Sequence, residues 1–432
     1  MLNMKKISIL ISLTFLSVSI KAQSNFVDSA IIIFNNVRTI CEQDNGKLWG
    51  HTLWKPVKIF NPETHQVVSN VDISSFNLKK KGNYFVGIEP QNINKDSLKI
   101  INKKITFIRY AYSKDITELS EVILHDSYHS VQREFNLAGI CYQAIHLTNT
   151  SARIFLRLEW NYLWNAYNEK TKEKKKNLID TAIFLRNYRR SLYSGSDTIE
   201  NRFEILEGMA EFTGIYLATL KSDSLIKQKI EVFKKTVEKL QDYSRNYGYL
   251  TGLLYGSVLS QFSKLWTKDI NKDSDLGLLL AKYSNSKPIV NLDLIRVQAN
   301  INYKYIEKEE KNIEEIKKKE KTDIAARFKN SSKLTLSLKN ANYSYNPSTF
   351  LYIDSLGTYC PYFTISADWG RLVVTQNGGI FSKDWKTLFI SVSSITINDK
   401  VIIDSENWKL ILSEKWSIQK ESENYIIKNM VN

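Results

Sequence analysis

The sequence predicts an α+β protein with a mainly helical middle, and three observations carry that expectation. Short apolar runs punctuated by turn residues fill 24–112. Apolar residues then recur at helical steps from Asp115 to Phe328, and strand-like runs return after Ser331. With 43% hydrophobic and 12% aromatic residues among 432, the chain has ample material for a core. Six prolines and sixteen glycines exclude collagenous or low-complexity architecture.

In chain order, Val67 to Ile73, Tyr84 to Ile88 and Ile105 to Tyr110 read as strands. A first helix is expected from Asp115, with Glu118 in a capping-box position and Gly139 as its stop. Further helices are expected over Ala152 to Tyr167, the lysine-rich stretch to Leu192, Thr198 to Leu220, Leu225 to Tyr243 and Tyr249 to Trp266. The charge run Glu307 to Lys321 reads as an exposed helix or linker arm. Leu334 to Leu338, Leu372 to Thr375, Leu388 to Val392, Val401 to Ile403 and Trp408 to Leu412 read as strands. Asn377-Gly378-Gly379 and Asn398-Asp399 are the expected hairpin turns. The resulting organisation is a leader over 1–22, a β-containing part over 23–112 and a helical core over 113–300. A charged helix or linker over 301–330 and a β-rich domain over 331–432 complete it.

The leader fixes the expected compartment. Lys5 and Lys6 precede an apolar run from Ile7 to Ile20, and Ser19 and Ala22 are small residues near a cut site. That is a secretory signal, too short for a stable span, and places the protein in the periplasm or outside the cell. No later segment reaches the length of a membrane span. The net charge of +15 would ordinarily suggest nucleic acid, but the excess is lysine in helix-like runs, which read as solvated faces. Export argues the same way, so no nucleic-acid partner is expected. Cys41, Cys141 and Cys360 are odd in number and widely spaced, and no pairing among them can be chosen.

Chemistry concentrates in His125-Asp126-Ser127-Tyr128-His129. Histidines four apart on a helix project from one face and can bind one zinc ion, with positions left for a third ligand and a water. The intervening Asp126 can take a proton from that water. Asp126 is one methylene shorter than glutamate, which matters to catalysis and not to metal binding. The third ligand is sought in Leu206-Glu207-Gly208-Met209-Ala210-Glu211, where Glu207 and Glu211 share a face and Glu204 lies on the same side. Apolar neighbours make that helix buried, and a buried carboxylate needs a partner. Glu159, within Leu156-Arg157-Leu158-Glu159-Trp160, is the alternative third ligand, unless Arg157 or Arg153 neutralises it. His146, Tyr249 and Tyr255 are candidates to stabilise a carbonyl oxyanion, and Glu211 to support a ligand. No G-x-S-x-G, P-loop or G-x-G-x-x-G is present, so serine-hydrolase and nucleotide readings lack a foothold.

With Glu207-Gly208-x-Ala210-Glu211 downstream, the histidine motif resembles the gluzincin branch of the zincin metallopeptidases. It is more closely similar to a group of exported proteins with a zincin-like core. The resemblance takes in Leu48-Trp49-Gly50, Leu124 to Gln132, Ala152 to Trp160, Glu207 to Gly214 and Tyr247 to Gly256, with a weaker tail at Trp369-Gly370 and Trp408 to Trp416. It implies a zincin-like helical core, one zinc per chain on His125, His129 and Glu207, and Asp126 at the general-base position. The family motif has glutamate there, so the aspartate is the departure. Two functions follow as expectations. One is a secreted zinc metallopeptidase acting on a peptide or protein substrate. The other is a non-catalytic zincin-fold protein, a pseudopeptidase serving as a binding or envelope-associated module.

Overall fold

A computed structural model of the chain describes residues 26–90, 101, 104–110, 115–135, 137, 139, 143–240, 242–287, 300–346, 349–353, 356–404 and 407–430. The leader expected over 1–22 and Cys141 lie outside the described residues. The chain is α+β, and it divides into two compact units, Met1–Ile306 and Glu307–Asn432.

The first unit opens with helix α1 over 26–44, where the sequence reading expects only short strands. Phe26, Ala30, Ile33, Phe34, Val37 and Cys41 recur at helical steps there and are all buried, which corrects that expectation. A five-stranded sheet follows: β1 (Val57–Phe60), β2 (Gln66–Ser69), β3 (Lys79–Lys81), β4 (Tyr84–Ile88) and β5 (Thr106–Arg109). Its order is β3-β4-β2-β1-β5, with only the β1–β5 pair parallel.

Helix α2 (Ile116–Glu134) begins where expected, because the Asp115 side chain accepts a hydrogen bond from the Thr117 N–H at 2.7 Å. It ends at Glu134, short of Gly139. Next come α3 (Thr150–Asn168), α4 (Lys172–Ser191) and α5 (Ser196–Phe203). The chain then makes one π-helical turn over Glu204–Gly208 before α6 (Met209–Ala218), so the single helix expected over 198–220 is three segments. α7 (Asp223–Val237) and α8 (Tyr247–Leu259) match expected helices, whereas α9 (Leu276–Ser284) is a helix the periodicity reading lacks.

Both α6 and α8 bury nearly all of their residues. A helix apolar all round has to sit inside the core, and α6 packs between α2 and α8. The approach is close because glycines meet at it. A Cβ built on Gly252 would come 2.3 Å from the Gly208 Cα. One hydrophobic core runs from Phe26 through the sheet residues Val57 and Ile59 to Leu280. No helix among the described residues is long and apolar enough to cross a membrane.

Helix α10 (Asn300–Asn330) contains the charge run and straddles the boundary between the units. The second unit is otherwise two sheets. A six-stranded sheet runs in the order Ile395–Asn398, Val401–Asp404, Trp408–Leu412, Gly370–Val374, Phe363–Ala367, Asn342–Tyr345. A seven-stranded sheet runs Trp416–Glu421, Asn424–Asn429, Ser332–Ser337, Thr387–Val392, Gly379–Phe381, Gly357–Cys360, Leu351–Ile353. Leu336, Leu388 and Ile390 of one sheet share a core with Ile365, Leu372 and Leu410 of the other. The Asn398-Asp399 turn does join paired strands. Asn377-Gly378 does not: it carries the chain from one sheet to the other, with both residues at positive φ.

Candidate metal centre

His125 and His129 lie one turn apart on α2, half-buried, with ring centroids 5.1 Å apart. The π-helical turn and α6 bring two carboxylates to them. Glu207 Oε2 stands 3.7 Å from His125 Nε2 and 3.6 Å from His129 Nε2. Glu211, one turn further on, accepts from His125 Nδ1 at 3.0 Å. The Asp126 carboxylate belongs to the same group. One ligand atom from each of His125, Asp126 and His129 lies within 4.8 Å of the others, a spacing that can hold one metal ion.

The ring nitrogens facing away from Glu207 are both engaged. His125 has Glu211, and His129 Nδ1 lies 2.8 Å from Gln132 Oε1. Metal-binding histidines characteristically place the second nitrogen on such an acceptor, which fixes the ring and leaves the other lone pair for the ligand position. Charge favours a cation here. Burial works against a proton on His125, but its hydrogen bonds to Glu207 and Glu211 outweigh that and raise its pKa to about 9. Burial would raise the Glu207 pKa, and the two histidines overcome it, holding the carboxyl well below the usual carboxylate range. Burial raises the pKa of Asp126 against the pull of His125 and His129.

Glycine makes the approach of α6 to α2 possible. A Cβ on Gly214 would meet the Glu121 backbone oxygen at 2.6 Å and the His125 Cβ at 3.3 Å. The Tyr249 ring of α8 lies stacked beside His125, 6.1 Å centroid to centroid at 20°. Tyr249 is thus the tyrosine that the fold brings to the histidines.

Other expected site residues lie elsewhere. Glu159 is fully buried and accepts from Arg186 Nη1 at 3.2 Å, Arg189 Nη2 at 2.6 Å and the Tyr255 hydroxyl at 2.9 Å. Its neutralisers are therefore not Arg153, which donates to the Leu240 carbonyl, or Arg157, which faces Glu238. Tyr255 is committed to Glu159, and His146 Nε2 to Glu200 Oε1 at 2.7 Å, so neither is free to serve an oxyanion at the histidines. Glu204 does not share a direction with Glu207. It pairs with Arg186, at 2.9 Å to Nη1, because the wide π-helical turn between them rotates the two side chains apart. Arg190 completes this buried cluster by pairing with Glu200 and Asp275.

Nothing in the sequence marks Gln132 and Gly214 as neighbours of the histidines, or the arginines of α4 as partners of Glu159. A cavity of about 590 Å³, lined by Trp49, Gly50, Phe135, Leu137, Thr267 and Ile270 among others, opens beyond the C-terminal end of α2. None of His125, His129 and Glu207 lines it. No family model, curated protein or solved structure matches this chain.

Proposed function

We propose that the chain is an exported, zinc-dependent hydrolase of peptide bonds with a zincin-like site, holding one zinc on His125, His129 and Glu207. The observation that carries this reading is the convergence of Glu207 Oε2 on both Nε2 atoms, while the opposite nitrogens are held by Glu211 and Gln132. The donor set fits. Two ligands on one tetrahedral zinc at about 2.0–2.1 Å stand roughly 3.3–3.4 Å apart. The separations of 3.6 and 3.7 Å are close to that. Zinc in this position would polarise a peptide carbonyl and make water nucleophilic at neutral pH.

The chain's own residues do the rest. Asp126, between the two histidines with its carboxylate in their group, is placed to take a proton and return it to the leaving amine. Glu211 and Gln132 hold the two rings, and Tyr249 covers His125. Export to the periplasm or beyond rests on the leader, and the substrate class is peptide or protein.

A second reading, a non-catalytic zincin-fold module, is favoured by Asp126 itself. Its carboxylate stands within ligand distance of the histidine nitrogens, so it can serve as a fourth ligand instead of a base. The test is elemental analysis of wild type, His125→Ala and His129→Ala, followed by digestion of a broad peptide library. One zinc in wild type, lost in both variants together with cleavage, supports the hydrolase. Zinc with no cleavage supports the second reading, and full zinc retention in both variants would falsify the site.

A further inference from the structure

Gln132 is fully buried and sits three residues after His129 on α2. Its amide nitrogen donates to two backbone carbonyls, Ile205 O at 2.7 Å and Leu206 O at 2.8 Å. Its amide oxygen faces His129 Nδ1 at 2.8 Å. Carbonyl oxygens only accept, so the two backbone contacts fix which end of the amide carries hydrogens. The Oε1 atom therefore accepts, and His129 Nδ1 must be the protonated nitrogen. That leaves Nε2, 3.6 Å from Glu207 Oε2, as the ring nitrogen for a metal ion.

The two carbonyls are not arbitrary ones. Ile205 and Leu206 lie inside the π-helical turn, in which the Met209 N–H donates to Glu204 O, and Glu207 is the next residue. Such turns are rare single-turn departures from an α-helix and need local support. One side chain thus ties the histidine of one helix to the turn that carries the carboxylate of another.

We propose that Gln132 is a positioning residue of the metal centre. It sets the tautomer and tilt of His129, and it braces the π-helical turn that delivers Glu207 to the same point. This rests on the metal reading proposed above. Removing the amide withdraws both supports, and loss of a supporting partner of this kind typically weakens metal affinity about 10–100-fold.

The test is a zinc competition titration of the full chain as wild type, Gln132→Met, Glu207→Ala and the double variant, with folding checked by circular dichroism. Gln132→Met should bind zinc about 10–100-fold more weakly than wild type. In the Glu207→Ala background the same change should cost clearly less, because bracing the turn no longer matters once its carboxylate is gone. The cobalt(II) absorption bands of Gln132→Met should also shift, as they report ligand placement. If Gln132→Met fails to fold, Gln132→Asn, which keeps the amide but shortens its reach, should show the same weakening. Affinity within about twofold of wild type in a folded variant overturns the proposal while leaving the metal site intact. Equal losses in both backgrounds overturn the bracing of Glu207. A wild type that takes up no zinc removes the site and the proposal together.

Discussion

Gly214 faces His125 across the contact between α2 and α6, so close that an added Cβ would stand 3.3 Å from the His125 Cβ. The same Cβ would collide with the Glu121 carbonyl oxygen at 2.6 Å. Backbone gives way less readily than a side chain, so α6 would have to move outward. Glu211 belongs to α6 and Glu207 to the π-helical turn that leads into it, and both would move away from the histidines.

Gly214→Ala should therefore lower stability by about 1–3 kcal/mol, the usual cost of overpacking. It should also weaken zinc binding about tenfold, the lower end of losing supporting contacts. Thermal unfolding and zinc competition measure the two effects. A variant with wild-type zinc affinity would mean that the spacing of α2 and α6 does not set the site.

Glu159 and Glu207 should part company when each is changed. Glu159→Gln leaves Arg186 and Arg189 buried without the full carboxylate charge they share, and breaking a buried pair costs about 3–5 kcal/mol. Its zinc content should not change. Glu207→Ala should do the reverse, keeping the fold and losing zinc affinity. Urea unfolding and metal stoichiometry separate them, and zinc loss in a folded Glu159→Gln would make Glu159 a ligand after all.

Acid should weaken the fold through Asp275. Burial alone would raise its pKa, but Arg186 and Arg190 outweigh that and lower it to about 2. A carboxylate with a depressed folded pKa adds stability that is present above its unfolded pKa of about 3.9 and lost as pH falls through the folded value. The contribution is on the order of 2 kcal/mol at neutral pH, fading between about pH 4 and pH 2. Asp275→Asn should be less stable at pH 7 and show a shallower loss over that interval. A wild type and variant with parallel acid profiles would contradict the pairing.

How much of this was legible in the sequence follows from the range of each signal. The periods of Ile116–Glu134 and Thr150–Asn168 repeat long enough to read. The period of 26–44 was equally clear, but it stood in a stretch read for its turns. His125, His129, Glu207 and Glu211 were legible because two pairs at helical spacing already define two faces. What joins the faces was not. Gln132 reads as an ordinary polar helix residue until Ile205 and Leu206 lie opposite it. Nothing in the sequence singles out Arg186 and Arg189, which are fully buried against Glu159. The π-helical turn leaves no periodic trace, so Glu204 was placed on the wrong side.

Asp126 is where hydrolase and binding module diverge most. If it acts as the base, its carboxylate must accept a proton from the attacking water and hand it to the departing amine. Asp126→Asn keeps the size and removes that capacity, so turnover should fall by on the order of 10²–10⁴ while zinc remains bound on His125, His129 and Glu207. Asp126→Glu extends the reach by one methylene and should cleave at least as fast as wild type. If Asp126 instead fills a ligand position, Asp126→Asn should weaken zinc itself, and wild type should cleave nothing at all. Asp126→Glu would then swing the carboxylate past the ligand position and create cleavage where none existed. Steady-state peptide cleavage and zinc affinity, measured on all three proteins, distinguish the two. A wild type that digests peptides and is unaffected by Asp126→Asn would remove Asp126 from the chemistry.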